Sequence, residues 1–250
     1  MKLKVLRADP AGNITLFVLS PMDKADYPAI ASKLMAMPQF AAEQVGFIHD
    51  DRMDMEAGEF CGNASRAYGM LVARQQGING AVKVNVSGCD HPLSVVVTED
   101  SASCEMPLPL WTRKVSVKGI SCTLVHLGGI AHLIAENVTP SETFFAEAEP
   151  IFREMAELEA YGVIFLDGEQ MKPLVKVPAT NTLFWEGSCG SGTLAAQIAR
   201  SEGQPDGTYS GAFSQPACIV TAEIIRQNGM IVSAKIGGPV TLDEPMEVEI

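Results

Sequence analysis

The sequence predicts an α+β protein of two pseudo-symmetric halves, each a curved, mostly antiparallel sheet around a central helix. Three observations predict this class. Short segments recur in the same order along the chain: 11–17 at 128–134, 45–48 at 161–164, and 61–67 at 189–195. Strand-like and helix-like stretches also alternate in the same order in both halves. The composition, 47% hydrophobic and 19% charged over 250 residues, is that of an ordinary globular protein.

The first half is predicted from its apolar runs and its glycines. A helical stretch at 26–37 follows the first predicted strand. Cys61 then precedes a helix of small and apolar residues, which is predicted to end at Gly77, since glycine commonly stops helices. A helix that is apolar nearly all round is buried. The predicted strands of this half are 14–19, 45–48, 82–86 and 93–97.

The second half repeats this order. A helical stretch at 141–158 precedes a strand, and Cys189 precedes a second helix of small and apolar residues, predicted to end at Gly203. The predicted strands are 124–127, 163–166, 218–225, 230–236 and 246–250. The last of them is expected to pack back on the first half.

The boundary between the halves is predicted near the proline-rich segment 107–109 and the basic pair at 113–114. The expected domains are an N-terminal half carrying Cys61, at 1–111 and 241–250, and a C-terminal half carrying Cys189, at 112–240.

Charge and cysteine content exclude several classes of function. The chain has 18 Lys and Arg against 30 Asp and Glu, a net charge of −12. This argues against partners such as nucleic acids and anionic membranes, which attract basic surfaces. No apolar stretch has the length of a transmembrane helix or a signal peptide, so we expect a cytoplasmic protein. The six cysteines form no Cys-x-x-Cys pair, and with four scattered histidines they predict no metal site.

The two Cys-Gly turns are the strongest functional signal. Each stands just before a buried helix, where unpaired N–H groups and the helix dipole favour an anion. Gly62 and Gly190 let the backbone approach a ligand closely. The same position is expected to lower the pKa of the Cys61 and Cys189 thiols. If the two halves face each other, the two thiols would oppose one another across a cleft.

That arrangement suits the inversion of an sp3 carbon. Inversion requires a base on one face of the carbon and an acid on the other, with donors that stabilise the adjacent carboxylate. A thiolate and a thiol can fill these roles without pyridoxal phosphate, so no cofactor is expected. The sequence therefore predicts a two-base racemase or epimerase of amino acids. The other interpretation is a two-domain protein that only binds a small amino acid.

The two motifs, 59–64 and 188–193, resemble the cysteine motifs of diaminopimelate epimerase and its cofactor-independent relatives. The resemblance extends over nearly the whole chain. It implies that Cys61 and Cys189 exchange the α-proton and that the enzyme is a homodimer. It further implies a set of substrate-binding residues near the substrate's polar groups: Asn13, Gln44, Gly62, Asn63, Gly190, Ser191 and Gly192.

The chain departs from the epimerase where that enzyme recognises the far end of its substrate. Thr180 and Asn181 stand where the family has a Glu-Arg pair, and Ile130 stands where it has an asparagine. Without the arginine, a distal carboxylate would be buried unpaired, which is costly. Diaminopimelate is therefore disfavoured as the substrate.

A more specific resemblance is to the histidine racemases of staphylopine-type metallophore biosynthesis. It is carried by the segments 10–13, 43–48, 59–64, 86–89 and 185–193. It implies histidine as the substrate, interconverted between its L and D forms.

Four further residues are candidates for substrate contact. Glu43 or Glu56 could accept an imidazole N–H, although a solvated or helix-capping role is the alternative for either. Trp185 could wall the side-chain pocket or belong to the core. His132 could orient the substrate or be a buried structural histidine.

Other enzymes of this superfamily give the remaining alternatives. Phenazine-type isomerases use a carboxylate, and the presence of both cysteines argues against them. Proline racemases carry a Cys-Gly-His signature that this sequence lacks. Racemisation or epimerisation of another amino acid stays open.

Overall fold

A computed structural model describes residues 1–155 and 158–250, with Thr180 described by its backbone alone. Most of its regular secondary structure is strand, and the α-helices are few. The strands are β1 (Lys2–Asp9), β2 (Thr15–Val18), β3 (Gln44–His49), β4 (Arg52–Met55), β5 (Ala81–Val86), β6 (Leu93–Val97), β7 (Ser101–Glu105), β8 (Trp111–Val117), β9 (Ile120–His126), β10 (Ile130–Glu136), β11 (Ala160–Asp167), β12 (Gln170–Val177), β13 (Thr182–Trp185), β14 (Gly207–Ser214), β15 (Ile219–Gln227), β16 (Met230–Pro239), β17 (Thr241–Leu242) and β18 (Met246–Glu249). The α-helices are α1 (Tyr27–Met35), α2 (Gly62–Gln76), α3 (Glu142–Arg153) and α4 (Gly190–Ser201), and short 3-10 turns lie at Lys24–Asp26 and Pro178–Thr180.

The described chain forms two compact units. The first comprises Met1–Glu105 and Gly237–Ile250, and the second comprises Met106–Ile236. The racemase halves expected at 1–111 with 241–250 and at 112–240 stay a prediction, because compactness says nothing of what each part does.

In the first unit, β1 lies between β2 and β18, antiparallel to both. The sheet continues through β3 and β4, and β5, β6 and β7 form an antiparallel series. Helix α1 covers one apolar cluster of this sheet. Helix α2 is central, because it contacts β5, β6 and β7 and most of its residues are buried. Its approach to β6 depends on Gly69, where a Cβ would lie 2.4 Å from Val95 Cγ1.

In the second unit, β8 to β13 form a mostly antiparallel series whose one parallel step joins β10 and β11. Helix α3 packs on one face with Phe144, Phe145 and Phe152 buried. Helix α4 is again largely buried, and it contacts β9, β10, β14 and β15. Both units therefore bury one helix that begins at the glycine of a Cys-Gly pair.

Most predicted elements have their counterparts in the structure, with shifted ends. The helix predicted at 26–37 is shorter, and the one predicted at 141–158 ends at Arg153, while residues 156–157 lie outside the described part. Gly77 ends α2 with a φ of 65°, as predicted. The second stop is wrong by one residue, because the backbone already turns extended at Glu202, before Gly203. None of the helices described has the length and apolar character needed to span a bilayer.

Candidate active site

Cys61 is the N-cap of α2. Its backbone is extended (φ −128°, ψ 113°), and its Sγ accepts the Ala64 N–H at 3.4 Å. The Ser65 hydroxyl donates to the Cys61 carbonyl at 2.7 Å. The sulfur thus takes the position that a Ser, Thr or Asp oxygen usually holds at a helix start.

Cys189 repeats this geometry at the start of α4. Its backbone has φ −124° and ψ 106°, its Sγ accepts the Gly192 N–H at 3.3 Å, and the Thr193 hydroxyl donates to its carbonyl at 2.6 Å. Sequence reasoning found both cysteines but missed Ser65 and Thr193. The signal was present, since a hydroxyl residue stands four positions after each cysteine.

The predicted direction of the thiol pKa values is wrong. Loss of water contact raises the pKa of Cys61 to about 11, although hydrogen bonds from Ala64 and Gln44 oppose the rise. The pKa of Cys189 is raised well above its usual range by burial and by the Glu186 carboxylate beside it. Desolvation outweighs the helix N-terminus at both positions. Both thiols are therefore neutral in the free protein at neutral pH.

The raised pKa of Cys61 has a measurable consequence. Because the thiolate is the species that reacts with iodoacetamide, its alkylation rate should rise about tenfold per pH unit between pH 7 and 10. Peptide mapping by mass spectrometry would follow Cys61, with free cysteine as the control, whose thiolate fraction levels off above about pH 9. A Cys61 rate that levels off below pH 8 would instead mean that the helix N-terminus dominates.

A polar cluster stands beside Cys61. The Asn13 Oδ1 accepts hydrogen bonds from Gln44 Nε2 at 2.8 Å and from Asn63 Nδ2 at 3.2 Å. The Asn13 Nδ2 donates to Glu43 Oε2 at 2.6 Å, and the Gln44 side chain also hydrogen-bonds the Cys61 thiol. Residues far apart in sequence are thus joined in one network that reaches the thiol.

The backbone before Asn13 explains how it reaches this cluster. Ala11 and Gly12 both have positive φ angles, and the Asp9 carboxylate accepts the Gly12 N–H at 2.6 Å. The turn sends Asn13 towards the first residues of β3.

Burial raises the pKa of Glu43, while its hydrogen bond with Asn13 opposes the rise.

Glu56 makes a backbone contact at Val45, the residue that follows Gln44. Its Oε2 accepts the Val45 N–H at 3.1 Å. Burial and the nearby charge of Glu59 raise its pKa to about 7. Because Val45 lies in β3, this contact is neither the solvated nor the helix-capping role weighed from the sequence, and the imidazole-binding role of Glu56 stays a prediction.

The start of α4 carries a different set of contacts. His132 Nε2 lies 2.8 Å from Ser191 Oγ, which lies 3.6 Å from Cys189 Sγ. The Glu186 carboxylate is in hydrogen-bonding contact with the Cys189 thiol. Gln215 Oε1 accepts the Cys189 N–H at 2.7 Å. Sequence reasoning missed the roles of Glu186 and Gln215, and only Glu186 is close enough in sequence to have been suspected.

Gly62 and Gly190 are the first residues of their helices, as predicted, and Gly192 has a packing role besides. A Cβ at Gly192 would lie 2.6 Å from Ile164 Cδ1 and 3.1 Å from Cys189 Sγ. A side chain there would press on the sulfur. The glycine keeps the helix start close to the sheet.

Trp185 is 43% exposed, so it is not a core residue, and its ring centroid lies 5.8 Å from that of Phe165. It borders a cavity of about 400 Å³ in the second unit, lined by Pro140, Lys172, Pro173, Trp185, Glu186 and Pro216. The substrate-side role of Trp185 stays a prediction.

Sequence comparison decides the family. A family model described as the N-terminal domain of the histidine racemase CntK matches residues 2–244. The chain belongs to this histidine racemase family. A histidine racemase of Fusobacterium nucleatum subsp. nucleatum is 34% identical over 209 residues, covering 77% of this chain and 78% of the relative. One of Staphylococcus aureus is 30% identical over 260 residues, covering 91% of each. This histidine racemase family member is an isomerase of the racemase and epimerase class.

Solved structures share the fold of this histidine racemase family member. A phenazine biosynthesis protein of the PhzF family from Enterococcus faecalis has a TM-score of 0.64 at 13% identity, covering 100% of both chains. A hydroxyproline epimerase from Agrobacterium vitis has a TM-score of 0.62 at 11% identity, covering 99% of this chain and 92% of the other. At such identities the likeness concerns the fold alone.

Proposed function

We propose that this protein interconverts L- and D-histidine by a two-base reaction at the α carbon, with Cys61 and Cys189 as the two bases. The observation that carries the proposal is the repeated helix start. Each unit places a cysteine sulfur at the N-cap of a buried helix with nearly the same backbone angles. Two thiols in matching settings supply the two like groups that inversion requires.

The proton balance of the reaction is simple. Both thiols are neutral in the free protein, so one of them must first lose its proton to solvent. The resulting thiolate takes the α-proton, and the electron pair of the broken C–H bond stays on the substrate, spread into its carboxylate. The thiol of the other cysteine then gives its proton to the opposite face of the carbon. The two sulfurs have exchanged protonation states, so the enzyme is ready for the reverse direction.

The raised thiol pKa values fit this use. An α-proton of an amino acid is a very weak acid, so a thiolate of high pKa is a stronger base than one of low pKa. The N–H groups at the starts of α2 and α4 are the donors that we assign to the substrate carboxylate. We assign the ammonium and carboxylate contacts to Asn13, Gln44, Gly62, Asn63, Gly190, Ser191 and Gly192.

Histidine is supported by the names of the relatives and by the position of Glu43. The Glu43 carboxylate accepts a hydrogen bond from Asn13 and so belongs to the cluster beside Cys61. The Glu56 carboxylate instead accepts the backbone N–H of Val45. We therefore assign the imidazole N–H to Glu43 rather than to Glu56. Trp185 and His132 stay candidates for the side-chain pocket and for orientation.

The reaction as written needs no pyridoxal phosphate, because the charge on the α carbon is stabilised by donors to the carboxylate. We also propose that the finer architecture is that of diaminopimelate epimerase, with two pseudo-symmetric halves. A homodimer, a cytoplasmic setting and a role in metallophore biosynthesis are proposed from the family resemblance alone. The mass of the purified protein in solution tests the first of these.

The test is proton NMR of the purified, reduced protein with L-histidine in D₂O, without added cofactor, followed together with optical rotation. The α-proton signal should disappear while the rotation decays. Because the returning thiol carries solvent deuterium, the D-histidine formed should be deuterated from the first turnover. The slower reaction of this deuterated product should carry the rotation past zero before it settles.

The other outcomes contradict the proposal in distinct ways. Exchange without loss of rotation would mean that only one thiol acts on histidine. Exchange with another amino acid, diaminopimelate included, but not with histidine would overturn the substrate. Binding without exchange for every amino acid would favour a binding protein.

A further inference from the structure

A chain of three polar groups runs from the interior of the second unit to the Cys189 sulfur. His132, on β10, is fully buried, and its Nε2 lies 2.8 Å from the Ser191 hydroxyl oxygen. That oxygen lies 3.6 Å from Cys189 Sγ, within hydrogen-bonding range for sulfur. His132 is therefore linked to the thiol through Ser191.

The protonation state of His132 determines which hydrogen bonds its ring can make. Burial lowers its pKa to about 3, so the ring is neutral and carries a single N–H. Its Nδ1 has no hydrogen-bond partner among the residues that the structure describes. Buried N–H groups without a partner are rarer in proteins than unpaired acceptors. The bare nitrogen is therefore Nδ1, and the proton is on Nε2.

This tautomer sets the direction of the hydrogen bonds that link His132, Ser191 and Cys189. The Nε2–H donates to Ser191 Oγ, which leaves the Ser191 O–H free to donate to sulfur. In the other tautomer the Ser191 O–H would donate to Nε2, and the sulfur would receive no hydrogen bond from Ser191. His132 thus determines whether Ser191 acts as a donor to Cys189.

The remaining neighbours of the sulfur show why such a donor matters. The Glu186 carboxylate, three residues before Cys189, contacts the thiol and disfavours the thiolate. Gln215 is an uncharged amide on the Cys189 backbone, and Met171 of β12, near the helix start, is apolar. The groups that favour the thiolate are the Gly192 N–H and the Ser191 hydroxyl.

We propose that His132 is a positioning residue, which holds the Ser191 hydroxyl as a hydrogen-bond donor to the Cys189 sulfur and so stabilises the thiolate of Cys189. No proton leaves His132 or Ser191 during turnover, since both only redirect hydrogen bonds. The catalytic use of that thiolate rests on the proposed function. The stabilisation itself does not, because it can be measured without substrate.

The experiment follows the pKa of Cys189 through the rate of its alkylation by iodoacetamide between pH 7 and 10, mapped by mass spectrometry, because below the pKa a rise of one unit lowers the thiolate fraction about tenfold. Ser191→Ala should raise this pKa by about one unit, as expected for the loss of one hydrogen bond to a charged group. His132→Asn, whose amide is too short to reach Ser191, should raise it by the same amount. The double variant should show no further rise. His132→Gln, whose amide nitrogen reaches the position of Nε2, should restore the original value.

Several controls separate positioning from a general structural role. The profile of Cys61, in the other unit, should be unchanged in every variant, and circular dichroism confirms folding. An unchanged Cys189 profile in Ser191→Ala, which is the variant least prone to misfold, overturns the proposal. So do shifts that add in the double variant, or a failure of His132→Gln to restore the value. A wild-type protein inactive on histidine would overturn the proposed function while leaving this measurement intact.

Discussion

Replacing either cysteine by serine should lower racemisation of histidine by about 10³-fold or more, while each variant keeps hydrogen exchange of one enantiomer. A serine hydroxyl is a far weaker acid than a thiol, so it can neither remove nor return the α-proton at a useful rate. On the proposed function, the unaltered cysteine would still act on one side of the carbon. It can remove the proton of the enantiomer presented to it and return a deuteron to the same side.

The decisive result is that the two variants are complementary. Cys61→Ser should exchange the α-proton of one enantiomer in D₂O with retention of configuration, and Cys189→Ser that of the other. Proton NMR and chiral chromatography on each enantiomer would measure both. Cys122→Ser, which alters a buried cysteine of β9, is the matched control and should keep racemisation. Exchange of the same enantiomer by both variants would contradict the two-base assignment.

Gly88→Ala should destabilise the protein by about 3 kcal/mol and lower activity as well. Gly88 has a φ of +71°, and a Cβ there would lie 2.4 Å from the Phe60 backbone nitrogen. Backbone atoms cannot rotate away as a flexible side chain can. The segment carrying Phe60 would have to shift, and with it Cys61, the next residue and the cap of α2.

Gly58→Ala is the matched control. Gly58 has a similar φ of +80°, but nothing lies within 4 Å of a Cβ placed there. It should therefore cost only the left-handed backbone strain, about 1–2 kcal/mol. Urea unfolding measures both variants, and the α-proton exchange rate measures activity. Equal losses of stability would mean that the contact with Phe60 is relieved by a small backbone shift.

Local patterns made the helices predictable, and tertiary packing limited the rest. The start of α2 at Cys61 and its stop at Gly77 were readable because caps and left-handed glycines act within one turn. The direction in which the thiol pKa values shift was not readable. The helix start is visible in the sequence, whereas the burial that outweighs it comes from distant strands.

The candidate site shows the same division. The cluster of Asn13, Gln44 and Asn63 joins segments far apart in the chain, and only the family resemblance brought these residues forward together. Nothing in the sequence ties His132 to Ser191, since that contact depends on how β10 packs against α4. The catalytic and binding roles of these residues stay predictions that the experiments above address.

The discontinuous first unit has a consequence for the order of synthesis. Its sheet includes β17 and β18, which pair with β1, yet these strands are made after the whole of the second unit. During translation, all of the second unit has emerged before the first can close its sheet, and domains generally fold as units. Of the two units, the one whose synthesis starts first is thus the one that finishes folding later. Until then, the edge of β1 that later pairs with β18 has unpaired backbone N–H and C=O groups. This edge can pair with another nascent chain.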